Sequence, residues 1–357
     1  MEKDIGNEIP GADGTVGLSA PETTSKQTKF STISVATKKA IISGIIFGCL
    51  FAFFCLMRPD TFPKMDNLIN LSQSIVTYAI IGFGLTFCLV CGGTDLSAGA
   101  SGALCGIVLL TLISVGVPIW LSIVACMVIG ILTGILNGFS IEILGVVPFI
   151  ATLGTQWIYR GMANVFVNGM PIYTVNAIQD ESLRELFYQI GGGRFHLWGD
   201  FQLPYSVIIM IVYGVLLYVV LSKTRIGRQV YACGSNLEAA KLSGINAVGT
   251  RMFAYCVSGL SAAVCGVLVT SRLTSAQPMA LNGVELQAIA AGVLGGVSNN
   301  GGEGTVLNAF IGALVMGTLS NGLTLVGINT FWQNAIIGCI LVAACAVDAY
   351  RHKRTTK

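Results

Sequence analysis

Residues 119–141 read IWLSIVACMVIGILTGILNGFSI, 23 residues without a charge. At about 1.5 Å of rise per residue, a helix of that length crosses the roughly 30 Å of hydrocarbon in a bilayer. The run has company on both sides. Further apolar runs lie at 40–57, 68–91, 98–117, 147–167, 204–222, 252–271, 285–297, 304–327 and 331–348. Over the chain, 54% of the 357 residues are hydrophobic and only 10% are charged, against roughly 25% charged in an average soluble domain. Too few charges are present to cover a water-soluble globule of this size. The fold class that follows is all-α, a polytopic membrane protein with about ten transmembrane helices. The alternating strands of roughly 10 residues that build an outer-membrane barrel are absent. The 44 glycines are scattered inside the apolar runs, where small residues let membrane helices approach closely. The run at 285–297 is short for a normal crossing and reads as a broken or tilted helix covered by its neighbours.

Orientation follows from the basic residues, because Lys and Arg beside membrane helices stay cytoplasmic. With both termini in the cytoplasm, 14 of the 20 Lys and Arg fall inside, including Lys38, Lys39, Lys223, Arg225, Arg228, Lys241, Arg251 and Arg351. Arg58, Lys64, Arg184, Arg194 and Arg272 fall outside, and Arg160 sits within a span. Residues 1–37 are polar and rich in Gly, Ser and Thr, and read as a disordered cytoplasmic tail. The first apolar run reads as an anchor rather than a cleaved signal. The transmembrane domain spans 38–350, and 351–357 form a basic cytoplasmic tail. Two extramembrane pieces interrupt the spans. The outer one, 168–203, carries Ile178, Leu183, Leu186, Phe187 and Ile190 at near-helical spacing, as in a short helix lying on the outer surface. In the inner one, 223–251, Ser235 or Asn236 is placed to cap a short helix that Gly244 stops.

Several chemistries are excluded or weakened by composition. A net charge of +3 is too small to suggest nucleic acid. His196 and His352 are the only histidines, so histidine-based triads and metal sites have little to draw on. The 11 cysteines fall mostly inside apolar runs and read as packing residues. Cys88 and Cys91 form the single C-x-x-C pair, without the second pair that a zinc site needs. No Gly-Lys dipeptide occurs, hence no phosphate loop of the G-x-x-x-x-G-K-[ST] type. The chain has no residues with which to hydrolyse ATP by that route, and neither a metal nor a cofactor is expected on it.

The charges inside the apolar territory are the informative ones, since an intramembrane ionisable group is expensive and marks a functional candidate. Asp95 lies in CGGTDLSAGA (91–100) between two uncharged runs. Three readings are open: it caps the start of the third helix, it lines a solute path, or it carries protons. Glu142 sits near the inner end of the fourth run, where it can reach water. Arg160 is nearer the outer end of the fifth, close enough to snorkel to the interface or to face a solute. Glu285 opens the eighth run, as a helix-start acid or a path residue. Trp157 and Trp332 near span ends suit the interfacial aromatic belt. Two glycine-dense turns, around Gly92, Gly93 and Gly99 and around Gly295, Gly296, Gly301, Gly302 and Gly304, read as tight backbone turns between close-packed helices. The basic, helix-forming 223–251 piece is longer than a mere connection requires. It reads as a docking surface with Ala239, Ala240 and Leu242 as contact residues, or more plainly as a solvated loop.

Taken in order, GTDLSAG (93–99), VPFIATLGT (147–155), Arg160-Gly161, NGMPI (168–172), TRIGR (224–228), ACGSNLEAAKLSGI (232–245), SAQP (275–278), GGVSNNGGEG (295–304) and NGLTLVGI (321–328) resemble the permease subunits of bacterial ABC importers for monosaccharides. The resemblance covers about 40–350 and points to the ribose, xylose and galactose/methylgalactoside branch. It implies a permease of the bacterial inner membrane that pairs with a second copy around a central path. It also implies an extracytoplasmic sugar-binding protein that delivers the substrate and a separate cytoplasmic ATPase, which carries the ATP and Mg. Gly234, Asn236, Glu238, Ala239, Ala240, Gly244 and Ile245 carry over as the ATPase-coupling loop. The candidates for the path are Asp95, Ser97, Arg160, Glu285 and Asn321. One position departs from the pattern: where the family often has Glu-Leu-Asp-Ala-Ile-Ala, Gln287 stands in ELQAIA (285–290). Thr94 to Gly99 is similar to the galactose branch, whereas Arg160-Gly161 and 275–278 are similar to the ribose branch, so the expected substrate is an aldopentose or aldohexose. The rival reading is an ion-coupled secondary sugar transporter in which Asp95 or Glu285 titrates. A membrane enzyme would need a clustered acid, base and nucleophile that the chain lacks.

Overall fold

The computed structural model describes residues 35–198 and 201–355. It is 77% helical with almost no sheet. In chain order the elements are α1 (Val35–Met57), α2 (Met65–Val90), α3 (Ala98–Ser114), α4 (Ile119–Glu142), α5 (Pro148–Phe166), β1 (Ile172–Tyr173), α6 (Thr174–Ala177), α7 (Glu181–Gly191), β2 (Arg194–Trp198) and β3 (Phe201–Pro204). They continue with α8 (Tyr205–Lys223), α9 (Arg225–Ser235), α10 (Leu237–Leu242), α11 (Ala247–Leu273), β4 (Ser275–Ala276), α12 (Val284–Gly295), α13 (Val306–Val326) and α14 (Thr330–Thr355). Each apolar run read from the sequence coincides with one helix. Five of these helices, α2, α4, α8, α11 and α13, are long and apolar enough to cross a membrane, and α1, α3, α12 and α14 carry shorter apolar stretches.

The first and last helices extend beyond the apolar runs that mark them. Helix α1 starts at Val35, so Lys38 and Lys39 lie inside a helix instead of ahead of it, and α14 continues through Arg351 to Thr355. Lys and Arg are good helix formers, and no Gly or Pro stands at either place to stop the turn. The rest of the expected N-terminal tail, up to residue 34, lies outside the described residues.

The helices are sorted by what surrounds them. Along its most apolar window α2 is 83% buried, whereas α4 and α8 are 28% buried. The central helix is therefore wrapped by α8, α11, α12 and α13, while α4 and α8 turn Val124, Val128, Leu132, Val212 and Val215 outward. The polar interior runs the other way: Asp95, Asn137, Arg160 and Glu285 are all buried. An apolar outside over a partly polar inside is the arrangement a bilayer imposes, since lipid tails cannot satisfy polar groups.

Between lipid-surrounded helices little hydrophobic drive remains, and close backbone packing replaces it. On α4, Gly130, Gly134 and Gly138 recur every fourth residue on one face. Gly130 meets the Gly259 carbonyl, Gly134 the Tyr255 carbonyl, and Gly138 the Met252 side chain, all on α11. The quoted run at 119–141 thus contains the seam by which α4 joins the core.

The outer piece holds structure that periodicity alone did not show. Asp180 caps α7 by accepting the Ser182 N–H at 2.8 Å. Phe187 is fully buried beneath it, while Leu183 and Leu186 stay exposed. The surprise is sheet: β1 pairs antiparallel with β4 through Ile172–Ala276 and Tyr173–Ser275, and β2 pairs with β3. A two-residue strand has no period to read, and its partner lies a hundred residues away.

A Leu at position 134 would test the seam, because even a Cβ there falls 2.6 Å from the Cys256 Cα. Gly134→Leu is expected to destabilise the detergent-solubilised protein by about 1–3 kcal/mol or more, read as a lowered melting midpoint. Gly154→Ala, where nothing lies within 4 Å, should melt like the parent.

Candidate functional site

Asp95 sits in the bend between α2 and α3 with 1% of its surface exposed. Its Oδ1 accepts the Ser97 N–H at 2.9 Å, the Ser97 hydroxyl at 2.7 Å and the Asn137 amide at 3.2 Å. Its Oδ2 accepts the Ser258 hydroxyl at 2.6 Å. Asn137 also donates to Ser97 Oγ at 2.8 Å and takes the Thr155 hydroxyl on its Oδ1 at 2.6 Å. One carboxylate therefore ties together the head of α3, the C-terminal part of α4, α5 through Thr155, and α11. Two of the contacts are those of a helix-start acid, and two reach across to other helices. Asp95 and Ser97 are both buried here.

Arg160 turns inward rather than snorkelling to the interface. It is 8% exposed, and its Nη1 donates to the Pro278 carbonyl at 2.6 Å and the Ala280 carbonyl at 2.7 Å. One turn earlier on α5, Gln156 donates to Glu285 Oε1 at 2.9 Å. Glu285, at the head of α12, is 3% exposed, and its Oε2 rests against Gly99 of α3. Both Glu285 Oε2 and Arg160 Nη2 lack a hydrogen-bond partner. The structure thus brings Arg160, Glu285 and Gly99 to one place, below the segment 277–284. That segment is bent sharply: Leu281 has φ +57° and Gly283 φ +79°. A left-handed Leu costs on the order of 1–2 kcal/mol. The Leu281 carbonyl against Gly99 and its side chain 2.8 Å from the Gly102 Cβ position hold it there.

Asn321 is elsewhere. It donates from α13 to Asn67 Oδ1 on α2 at 2.9 Å, and Asn67 passes its own amide to the Phe62 carbonyl. Close by, Tyr78 of α2 reaches Ser320 at 3.5 Å. Tyr78 also lines a pocket of about 360 Å³ with Ser74, Thr77, Arg272, Gln277 and Asn282. Glu142 does not stay in water as read from the sequence: its carboxylate pairs with Arg251 of α11 at 3.1 Å, because the α4–α11 seam carries the two side by side.

The inner loop is built in three capped steps. Thr224 accepts the Gly227 N–H to start α9, Asn236 accepts the Ala239 N–H to start α10, and Asn246 accepts the Gly249 N–H to start α11. Gly244 at φ +77° ends α10. Ala240 is buried inside the protein, while Leu242 is 90% exposed. Glu238 pairs with Lys241 at 2.9 Å on the surface.

Behind α10 the loop meets the helices through main chain. Gly302 donates its N–H to the Val90 carbonyl at 2.8 Å. Gly234 lies on that same carbonyl, and Gly301, at φ +86°, lies against Gly92 and the Gly234 carbonyl. Four glycines from the α2–α3 turn, α9 and the α12–α13 turn thus share one knot. Tyr231 closes it by donating its hydroxyl to the Gly304 carbonyl at 2.5 Å. Burial pushes that phenol up to about 12, so it remains a donor throughout the physiological range.

Sequence reading missed Asn137, Thr155, Ser258, Gln156, Tyr231 and the pocket residues. Asn137 left a signal, as the lone amide in the 119–141 run. Thr155 stands in the VPFIATLGT motif with nothing to mark its partner, and Ser258 left no signal, since a hydroxyl inside a membrane helix ordinarily bonds its own backbone.

The chain matches the family described as branched-chain amino acid transport system / permease component over residues 67–345. Among similar proteins, the ribose import permease protein RbsC of Haemophilus influenzae is 38% identical over 301 residues, 84% of this chain and 90% of that one. The L-arabinose transport system permease protein AraH of Escherichia coli is 34% identical, over 87% of this chain and 90% of its own. The D-allose transport system permease protein AlsC of Escherichia coli is 32% identical, over 85% and 89%. No solved structure matches the chain.

Removing the Asp95 carboxylate would leave the Ser97 N–H and the hydroxyls of Ser97 and Ser258 without their acceptor, at about 1–3 kcal/mol for each buried orphan. Asp95→Ala is therefore expected to lower the melting midpoint markedly, and Asp95→Asn, which keeps one acceptor oxygen, to lower it less. Equal melting of both variants and the parent would count against the clasp.

Proposed function

The chain belongs to the permease-component family that it matches over most of its length, and from that membership we propose that it is the membrane subunit of an ATP-binding-cassette importer for a monosaccharide in the bacterial inner membrane. The observation that carries the sugar assignment is the set of relatives named for ribose, L-arabinose and D-allose, each aligned over more than four-fifths of both chains. The substrate class is an aldopentose or aldohexose. The protein is not itself catalytic: a separate ATPase binds ATP and Mg in the cytoplasm, and an extracytoplasmic binding protein delivers the sugar. Ten helices, α1 to α5, α8 and α11 to α14, cross or enter the membrane with both termini in the cytoplasm, and two copies of the chain enclose the path.

In this reading α9 and α10 form the coupling element. Leu242 and Ala239 present an exposed apolar face with Glu238 beside it, as a dock for the ATPase needs. Gly234 seats the element on the α2–α3 and α12–α13 turns, so that closure of the ATPase biases a two-state arrangement of those helices. Asp95 and Ser97 fasten the helices of the path, and Arg160, Glu285 and Asn321 provide its polar positions.

Reconstitution in liposomes tests the reading. Uptake of labelled D-ribose, L-arabinose or D-allose is expected only with the ATPase, the binding protein and ATP together; uptake driven by a proton gradient alone would overturn it in favour of ion coupling. Within that system, Leu242→Asp and Gly244→Val are each expected to lower ATP-driven uptake at least tenfold, while the melting midpoint of Leu242→Asp stays near that of the parent.

A further inference from the structure

The segment 277–284 separates two polar environments. On one face it supplies Gln277 and Asn282 to the pocket that Ser74, Thr77, Tyr78 and Arg272 close from α2 and α11. On the other face its Pro278 and Ala280 carbonyls are held by a single nitrogen of Arg160, and the chain then runs directly into Glu285. We infer that the pocket is a holding site for a neutral sugar within the outer half of the permease, that 277–284 is its floor, and that Arg160 is the positioning residue that keeps the floor shut. This inference rests on the transport reading above and names a station on its path.

The chemistry of the lining suits a polyol. The hydroxyls of Ser74, Thr77 and Tyr78 donate to Asn70, Gln73 and Ser320 and so offer the pocket acceptor lone pairs, while the amides of Gln277 and Asn282 add donors and acceptors. No carboxylate lines the pocket, so nothing there favours a cation, and the guanidinium of Arg272 is directed to Gln73 Oε1 at 3.5 Å. At about 360 Å³ the volume falls in the range of small-molecule sites.

The floor has the marks of a moving part. Leu281 is held in a left-handed conformation that a branched side chain rarely adopts. Leu281 lies against Gly99 and Gly102 of α3, while the Pro278 and Ala280 carbonyls before it are held by Arg160 of α5. A shift of α5 against α3 would release both carbonyls at once. Beneath the floor wait Arg160 Nη2 and Glu285 Oε2, a donor and an acceptor each nine-tenths buried or more and without a partner. Sugar hydroxyls passing the opened floor would meet both.

The complete importer in liposomes, with labelled D-ribose, L-arabinose and D-allose as probes, separates the possibilities. The double variant Gln277→Ala/Asn282→Ala is expected to move at least fivefold less sugar per ATP hydrolysed, while loaded binding protein still stimulates hydrolysis; a folding defect would depress both together. Arg160→Met is expected to leak sugar down its gradient without ATP at least tenfold faster than the parent, and Arg160→Lys to restore part of the seal. An unchanged sugar-to-ATP ratio in the double variant, or a tight Arg160→Met protein, would overturn the inference. If Arg160→Met does not fold, the ratio in the double variant decides. Failure of the parent itself to take up sugar with ATP would strike the transport reading instead.

Discussion

A carboxylate sealed from water must be met by protein donors, and Asp95 is met by donors from three helices. In a medium with no water to substitute, an unmet ionised oxygen would cost several kcal/mol. The positions of α3, α4 and α11 relative to one another are therefore not free: Ser97, Asn137 and Ser258 have to arrive together. The glycine seam on α4 makes that arrival possible, because Gly130 and Gly134 let α4 lie close enough to α11 for Asn137 to reach the carboxylate. Packing and polar satisfaction here are one requirement seen from two sides.

The same logic separates the two groups of charges in the protein. Asp95 is matched at both oxygens by hydrogen bonds, whereas Glu142, ion-paired with Arg251, keeps one oxygen without a hydrogen bond. Arg160 and Glu285 are matched only in part. Matched groups hold helices in register, whereas half-matched ones favour another arrangement in which the remaining atoms find partners. That contrast sets the Asp95 clasp apart from Glu142, Arg160 and Glu285.

The helical architecture was legible in the sequence because the bilayer writes it in one dimension. Runs such as 119–141 are long, uncharged and separated by turn residues, and each became a helix. The caps at Asn236 and Gly244 were legible for a local reason, since a cap involves residues three or four apart. What could not be read was pairwise and distant. The position of Arg160 along its helix allows it either to snorkel or to face a solute; its partners in the structure, Pro278 and Ala280, are carbonyls, which every residue has and no sequence pattern marks. The β1–β4 pairing and the match of Glu142 with Arg251 share this character.

The knot of Gly92, Gly234, Gly301 and Gly302 brings main chain directly against main chain. Side chains ordinarily act as cushions: they change rotamer, and a displacement of an ångström dies within one layer of packing. Where no side chain intervenes there is nothing to yield. A push on α10 would then reach the turns below α2 and α13 undiminished, as a stroke passes through a solid linkage and is lost in a sprung one.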